Sequence, residues 1–279
     1  MMSRVINTRY KVIINAIIFA ALLFAGCGIN YQFKKAEKLL QNGKFIEAID
    51  KYQSIIDKYP ENSRISEVMF IIGRIYQQNI ENDKEAKVYY KRVMNSFPET
   101  EWAKDARKAW LEIVDYFPLT KKSEWIEVDS DTLGRYMLAN NRIIAVKDSV
   151  YQIERTLYTK GRYVQGFTKY YKKTKDGVYE TNSKGIIIAN VFLFPLEINK
   201  EWTIGKIRYT VLSKKEHVKV LAGEFNDCLK IKKQLIRSDS WSYEYYAPEI
   251  GKILTTQSSG FLEKRITELK KYDIPAENN

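Results

Sequence analysis

Histidine and cysteine are almost absent from this chain of 279 residues, which contains one histidine and two cysteines. A zinc site takes clustered Cys or His ligands at close spacing, and His217 has no such neighbours in the sequence. Two cysteines, Cys27 and Cys228, cannot build a disulfide framework. We therefore expect no metal site and no disulfide scaffold, and the residue types give no support for a thiol enzyme.

Signatures of common catalytic sites are lacking as well. The sequence has no glycine-rich phosphate loop, no Gly-x-Ser-x-Gly elbow and no His-Glu-x-x-His pair. Carboxylates are abundant, but pairs such as Asp129 and Asp131 or Glu216 and Glu224 have no apolar flanking context that would separate an acid from a base. We predict a protein that is not an enzyme and needs no cofactor; a hydrolase with an unrecognised carboxylate pair is the least favoured alternative.

The first 27 residues follow the order of a secretory signal. Three basic residues precede an apolar run over 12–24, and the small residues Ala25 and Gly26 stand directly before Cys27. The run is shorter than the about 20 apolar residues that a membrane-spanning helix needs. The segment ending at Cys27 resembles the lipobox of bacterial lipoproteins, with Phe24 at the position where leucine is commonest in that family.

This resemblance implies that residues 1–26 are a cleaved signal peptide and that Cys27 carries a covalent lipid. In that family a residue other than aspartate after the cysteine, here Gly28, does not favour retention in the inner membrane. We therefore expect an exported protein anchored at the periplasmic face of the outer membrane. Two alternatives stay open: an uncleaved N-terminal anchor helix, and an ordinary signal cut near Ala25 that releases a soluble protein.

Charge is unevenly distributed along the rest of the chain. Residues 27–118 hold 15 Lys and Arg against 14 Asp and Glu, whereas residues 119–279 hold 28 against 20. A basic surface attracts anionic lipids or nucleic acid, but an exported protein does not ordinarily meet DNA. We expect no nucleic-acid partner. Phospholipid headgroups or cell-wall polymers are the natural anionic partners, and a solvated lysine-rich surface is the simpler interpretation.

A repeat of 37–38 residues runs between residues 32 and 115. Its matched pairs are Ala36 and Gly73, Leu39 and Tyr76, Ala48 and Ala86, Tyr52 and Tyr90, and Pro60 and Pro98. Each unit has apolar residues at helical spacing, and a Tyr-Pro or Phe-Pro pair stops its second helix. In the first unit, Gly43 can end the first helix. We predict stacked helical hairpins, with a third unit that has only its first helix, at about 102–116.

These units resemble tetratricopeptide repeats, most clearly in the stretch 43–49 followed by Tyr52 and Pro60. Their length is similar to the long repeats of the outer-membrane assembly lipoproteins of the ComL type and of the Tol-Pal associated periplasmic coordinator. The resemblance implies a concave surface, formed mainly by the first helices, that binds an extended peptide or a helix. The candidate groove residues are Phe33, Glu37, Gln41, Glu67, Phe70, Arg74 and Gln77. The alternative is that Phe33 and Phe70 are core residues and the groove binds nothing.

After residue 118 the sequence period changes from helical to alternating. Runs such as 125–128 and 151–154 alternate aromatic or β-branched residues with polar ones, and Asp176-Gly177 separates two further runs as in a tight hairpin. Separate strands are predicted at 205–213 and 218–221, and Cys228 fits a small buried strand residue. We predict an α+β protein of two domains: helical repeats over 27–118, and an antiparallel curved sheet or half-barrel over 119–279.

Three aromatic residues of this half, Phe192, Phe194 and Trp202, allow two interpretations. They line an apolar cavity, as in lipid-carrying half-barrels, or they seal the open end of a filled core, which is commoner. The stretches 221–231 and 245–253 resemble a β module of secreted bacterial proteins to which we assign no activity. The glycines of these stretches, Gly223 and Gly251, are expected to serve turns.

Together these patterns predict a non-catalytic cell-envelope lipoprotein. It would bind one or more envelope proteins through its helical repeats and the membrane through the lipid on Cys27, as a scaffold in outer-membrane or cell-wall assembly. The main alternative is a carrier of a lipid or another apolar ligand that uses the β domain.

Replacing Cys27 tests the predicted anchor. We expect Cys27→Ala to lose incorporation of labelled palmitate and to leave the membrane fraction, because acylation requires the thiol and the acyl chains hold the protein on the bilayer. The control Cys228→Ala should keep both properties. A Cys27→Ala protein that takes up no label and still fractionates with membranes would indicate the uncleaved anchor helix instead.

Overall fold

A computed structural model describes residues 28–259 and 262–275 of the chain. The chain divides into two compact units, with the boundary between Ile113 and Val114. The sequence placed this boundary after Pro118, whereas the structure includes residues 114–118 in the second unit. Cys27 and the predicted signal peptide lie outside the described residues.

The described part of the first unit, residues 28–113, forms five helices. Their bounds are 28–41 for α1, Phe45–Lys58 for α2, Ile65–Gln78 for α3, Asp83–Ser96 for α4 and Glu101–Ile113 for α5. In the part of the chain that the structure describes, no helix combines the length and the apolar character of a membrane span. The helices form two hairpins and a single additional helix, as the repeat predicts.

Local sequence signals set the ends of these helices. Gly43 separates α1 from α2 and has a φ of +74°, the left-handed conformation that glycine adopts without a steric penalty. Helix α4 begins after Asn82, whose side chain accepts a hydrogen bond from the backbone N–H of Glu85 at 3.1 Å. Tyr59 and Phe97 end α2 and α4, because a residue that precedes proline is disfavoured in helical geometry.

The repeated tyrosines pack between the helices of the first unit. Tyr52 and Tyr90 are fully buried, and their rings lie 5.5 Å from Phe33 and 5.9 Å from Phe70, measured between ring centroids. A Cβ atom at Gly73 would lie only 2.7 Å from the Tyr90 ring. The position therefore has to be glycine for α3 to approach the Tyr90 ring of α4 this closely.

In the second unit, the described residues 114–259 and 262–275 form a single antiparallel sheet of twelve strands. In chain order these are Glu124–Asp129 (β1), Met137–Lys147 (β2), Val150–Thr159 (β3), Arg162–Thr174 (β4), Gly177–Thr181 (β5), Ile187–Leu193 (β6), Glu201–Ile204 (β7), Ile207–Val220 (β8), Gly223–Leu235 (β9), Trp241–Ala247 (β10), Gly251–Ser259 (β11) and Leu262–Asp273 (β12). The strand order in the sheet is β6-β5-β4-β3-β2-β1-β12-β11-β10-β9-β8-β7.

The pairing of the first strand with the last one organises this sheet. Strands β1 and β12 pair from Glu124 opposite Asp273 to Asp129 opposite Thr267, so both lie at the centre. The two edge strands, β6 and β7, follow one another in the chain and contact each other. The sheet is therefore nearly closed, which agrees with the predicted curved sheet or half-barrel.

Several strands follow the predictions, whereas β2, β6 and β7 were not predicted. Strand β4 turns into β5 at the predicted Asp176-Gly177 hairpin, where Thr174 lies opposite Gly177. Gly223 and Gly251 begin β9 and β11 with φ values of +140° and +98°, as expected for turn positions. The strands predicted separately at 205–213 and 218–221 form the single strand β8. The interruption in the sequence pattern corresponds to register shifts in the pairing of β8 with β9.

Apolar side chains pack on both faces of the sheet. Leu229 and Tyr246 belong to one buried cluster, whereas Cys228 and Tyr245, their neighbours in the chain, belong to the other. Adjacent residues of a strand point to opposite faces, so the two clusters cover the two sides of the sheet. Cys228 is fully buried, as predicted, and burial raises the pKa of its thiol to about 12.

Candidate functional site

The seven predicted groove residues of the helical unit separate into interior and surface positions. Phe33 and Phe70 are buried, Glu67 and Gln77 are half-buried, and Glu37, Gln41 and Arg74 are exposed. Within α1 and within α3 these positions follow one another at a spacing of three or four residues, so each set lies along one side of its helix. On each helix, these positions therefore include a buried phenylalanine ring and exposed polar side chains.

The first helices of successive hairpins lie next to one another. Arg64, directly before α3, donates a hydrogen bond to the Asn30 side chain of α1 at 3.0 Å. Its guanidinium carbon also lies 3.6 Å from the centre of the Phe33 ring, in cation–π contact. Further along the stack, Phe70 of α3 packs on Trp102 of α5, with ring centroids 5.4 Å apart. We call the adjacent surfaces of α1, α3 and α5 the first-helix face.

Polar side chains of this face are held by hydrogen bonds. Gln77 of α3 accepts a hydrogen bond from the Tyr90 hydroxyl at 2.6 Å and donates one to Glu112 of α5 at 3.3 Å. The guanidinium of Arg74 donates to Gln78 at 2.9 Å. These bonds order donors and acceptors on the first-helix face before any partner is bound, which lowers the entropic cost of binding.

The inner face of the β sheet carries a partly open cavity of about 520 Å³. Of the three aromatic residues predicted for an apolar cavity, Phe192 is buried and lines it, whereas Trp202 is buried and packs against Phe192 with centroids 6.2 Å apart. Phe194 is half-buried and packs against the same cluster. Phe192 is thus the one of the three in the cavity wall, and the other two belong to the core beside it.

Charged side chains make up a large part of the cavity wall. Those that line it are Glu127, Arg155, Lys169, Glu180, Lys233, Glu244 and Lys252. Tyr171, Tyr209 and Tyr246 line it together with other aromatic residues. The cavity is therefore amphipathic, with aromatic rings and charges of both signs, and differs from the apolar cavity considered from the sequence.

Strand alternation places these charges inside. Lys169 and Tyr171 are two residues apart on β4, as are Glu244 and Tyr246 on β10, so each charge faces the same side as the tyrosine. Sequence reasoning missed these residues because it assigned buried positions to apolar side chains. The available signal was the recurrence of a charge two residues from an aromatic residue in a strand.

Each interior carboxylate has a cationic partner. Lys233 donates to Glu244 at 2.8 Å, and Lys169 donates to Glu180 at 2.9 Å. Arg155 holds one oxygen of Glu127 at 3.1 Å. Pairing of this kind is what makes buried charge tolerable, because an isolated charge in the interior costs several kcal/mol.

The ion pairs keep two buried glutamates ionised. Burial alone would raise the pKa of Glu127, but the charges of Lys252 and Arg155 and the Arg155 hydrogen bond hold that pKa below its ordinary value. Burial opposes ionisation of Glu244 in the same way, and Lys252, Lys233 and the Tyr246 hydroxyl lower its pKa. Both side chains are therefore charged at neutral pH.

The tyrosines of the cavity have raised pKa values. Burial, together with the negative charge of Glu244, raises the pKa of Tyr246 well above its ordinary value and that of Tyr209 to about 12. The Tyr246 hydroxyl donates to Glu244 at 2.7 Å. These phenols are thus neutral hydrogen-bond donors at physiological pH. Within the described ranges, no group of three or more His, Cys, Asp or Glu side chains is placed to hold a metal ion.

Comparison with known proteins identifies one sequence family in part of the chain. The model of the tetratricopeptide repeat family matches residues 67–100, which cover most of α3, all of α4 and the turn that follows. Repeats of this kind generally mediate protein–protein interactions. No curated protein matches the chain.

Two solved structures show limited similarity. One is a candidate lipoprotein from Parabacteroides distasonis ATCC 8503, with a TM-score of 0.39 and 14% identity over 57% of this chain and 99% of that chain. The other is a candidate exported protein with a YmcC-like fold from Bacteroides fragilis NCTC 9343. It has a TM-score of 0.41 and 13% identity over 57% of this chain and 99% of that chain.

Replacing Glu244 by glutamine tests the contribution of the interior pairs to stability. Because the folded-state pKa of Glu244 is lowered, its ionised form stabilises the folded protein above the unfolded-state pKa, and this contribution is lost as pH falls through the folded-state pKa. We expect Glu244→Gln to lower the free energy of unfolding by about 3 kcal/mol at neutral pH, because Lys233 keeps its charge and loses its carboxylate. The difference should shrink in acid.

The measurement is urea unfolding of the full chain, followed by tryptophan fluorescence, with circular dichroism recorded in parallel for the helices. Glu197→Gln is the matched control, since Glu197 is an exposed glutamate of the same unit. It should leave the unfolding curve unchanged. An effect of Glu244→Gln that is equally large at neutral and acid pH would contradict the ionised pair.

Proposed function

We propose that this protein is a non-catalytic lipoprotein of the cell envelope that binds a protein partner on its first-helix face. The observation that carries the proposal is the adjacent arrangement of α1, α3 and α5 around the segment 67–100, which matches the tetratricopeptide repeat family. This arrangement presents exposed Glu37, Gln41 and Arg74 along one surface. Tetratricopeptide repeats bind peptides on such a surface.

The chemistry of the face favours a polar, charged partner segment. Phe33 and Phe70 are occupied in contacts with Tyr52 and Tyr90, so these rings hold the helices in place and are not available as deep apolar pockets. The exposed residues that remain carry charges of both signs. A partner peptide with an acidic residue for Arg74 and a basic residue for Glu37 would complement them.

The position of Cys27 supports a role at a membrane surface. Helix α1 already includes residue 28, so a lipid on Cys27 would hold the first helix directly at the bilayer. Confinement to the membrane raises the effective concentration of the repeats for a membrane-bound partner. This geometry suits a scaffold in outer-membrane or cell-wall assembly at the periplasmic face of the outer membrane.

Two competing functions are less well supported. A carrier of a purely apolar ligand is disfavoured by the seven charged side chains that line the cavity. A hydrolase that uses a carboxylate pair as acid and base would need one carboxylic acid that is protonated near neutral pH. The buried glutamates Glu127 and Glu244 instead have lowered pKa values and fixed cationic partners.

Site-specific photo-crosslinking in cells tests the proposal. A benzoylphenylalanine at Arg74 or Gln41 should give crosslinks to the same envelope protein, because both positions lie on the first-helix face. The control position is Val88, which is exposed on α4, a second helix of a hairpin. It should not give this adduct. Identical crosslinks from all three positions, or none from Arg74 and Gln41, would argue against partner binding on this face.

A further inference from the structure

The cavity of the β unit is larger than ordinary packing would leave. Protein interiors are packed as densely as organic crystals, with few voids bigger than a water molecule. A volume of about 520 Å³ is within the range of small-molecule binding sites. The side chain of Lys169, 43% exposed, lines this cavity, so the cavity extends to solvent and a ligand can enter it.

The charges around the cavity are not balanced. Its wall has four cations, Arg155, Lys169, Lys233 and Lys252, and three carboxylates, Glu127, Glu180 and Glu244. The site thus carries a formal excess of one positive charge. The side chains of Lys169 and Lys252 are partly exposed, so solvent screens part of this charge, and a bound anion would compensate the rest.

Of the four cations, Lys252 has the longest contact with a carboxylate oxygen, although its charge acts on both Glu127 and Glu244. Its ammonium lies 3.6 Å from the nearest oxygen of Glu127, beyond hydrogen-bond distance, while Arg155 already holds the other oxygen at 3.1 Å. Lys169 and Lys233 have carboxylate partners at 2.9 Å and 2.8 Å. The Lys252 ammonium therefore retains donors for an additional acceptor.

Aromatic rings form a large part of the remaining wall. Phe117 packs edge-on against Phe192, with centroids 5.6 Å apart, and Tyr171 lies 5.4 Å from Phe117. Tyr209 is fixed by stacking on Trp202 at an interplanar angle of 9°. These rings offer flat, ordered apolar surfaces close to the charged groups. Aromatic surface beside convergent charged groups suits a small amphipathic ligand.

We propose that the interior of the β unit is a binding site for a small organic anion with an aromatic or apolar body, and that Lys252 binds its anionic group. The carboxylates, each already engaged by a cation, fix the positions of Arg155 and Lys233 around the site. The ring walls hold the apolar body. This site is separate from the first-helix face and does not depend on the protein-binding function proposed above.

Two fluorescent dyes of similar shape test this proposal. 8-Anilinonaphthalene-1-sulfonate carries a sulfonate, and N-phenyl-1-naphthylamine is its neutral analogue. We expect the sulfonate dye to bind the full-length protein, and Lys252→Met to raise its Kd at least about tenfold, as loss of a charge-assisted hydrogen bond predicts. The Kd of the neutral dye should change less than about twofold.

Two further variants test whether the dyes bind in the cavity and whether the charge of Lys252 itself is required. Lys270→Met removes an exposed lysine of β12 with the same change in charge and should leave both dyes unaffected. Ala189→Trp enlarges a small side chain of the cavity wall and should abolish binding of both dyes by filling the space. Circular dichroism and thermal unfolding establish that each variant is folded.

A measurement on the wild-type chain covers the case in which Lys252→Met does not fold. Added sodium chloride should weaken binding of the sulfonate dye and leave that of the neutral dye unchanged, since only the former includes an ionic contact. The proposal is overturned if the sulfonate dye does not bind, if Ala189→Trp still binds it, or if a folded Lys252→Met binds both dyes as the wild type does. It is equally overturned if salt affects the two dyes alike.

Discussion

Pairing of opposite charges inside the sheet is the interaction on which the β unit depends. Glu127 and Glu244 are almost fully buried, and each remains ionised because cations from other strands approach it. Removing one partner would leave an uncompensated charge, which costs several kcal/mol. The strands that carry these groups must therefore keep their register. The same pairs line the cavity.

The helical unit is stabilised by a different kind of contact. Its interior consists of aromatic rings against small residues, with Tyr90 against Gly73 and Tyr52 against Phe33. These contacts are local to neighbouring hairpins, so the stack forms by repetition and leaves polar groups such as Arg74 on the first-helix face. The first unit thus exposes polar groups on a helical surface, whereas the second contains a cavity lined by charged and aromatic side chains.

The helical unit is built from local contacts and the β unit from long-range ones, and this difference explains which features could be predicted from the sequence. The helical hairpins were predictable because Gly43, Pro60 and Pro98 mark their ends and the apolar period lies within each hairpin. The β strands were predictable from alternation, but the charged interior was not. Glu127 meets Lys252 only because β1 pairs with β12, and β12 with β11, across more than a hundred residues of chain. No local pattern shows that pairing, so the lysines of this half were assigned to the surface.

Titration of individual glutamates would test the charged interior most directly. The carboxyl carbons of Glu127 and Glu244 can be followed by carbon-13 nuclear magnetic resonance in the full-length protein as pH is lowered. Paired with cations as described, both side chains should titrate with a pKa below the ordinary value of glutamate. Titration of either one at or above that ordinary value would mean that burial outweighs its cationic partners, and would contradict the charged interior.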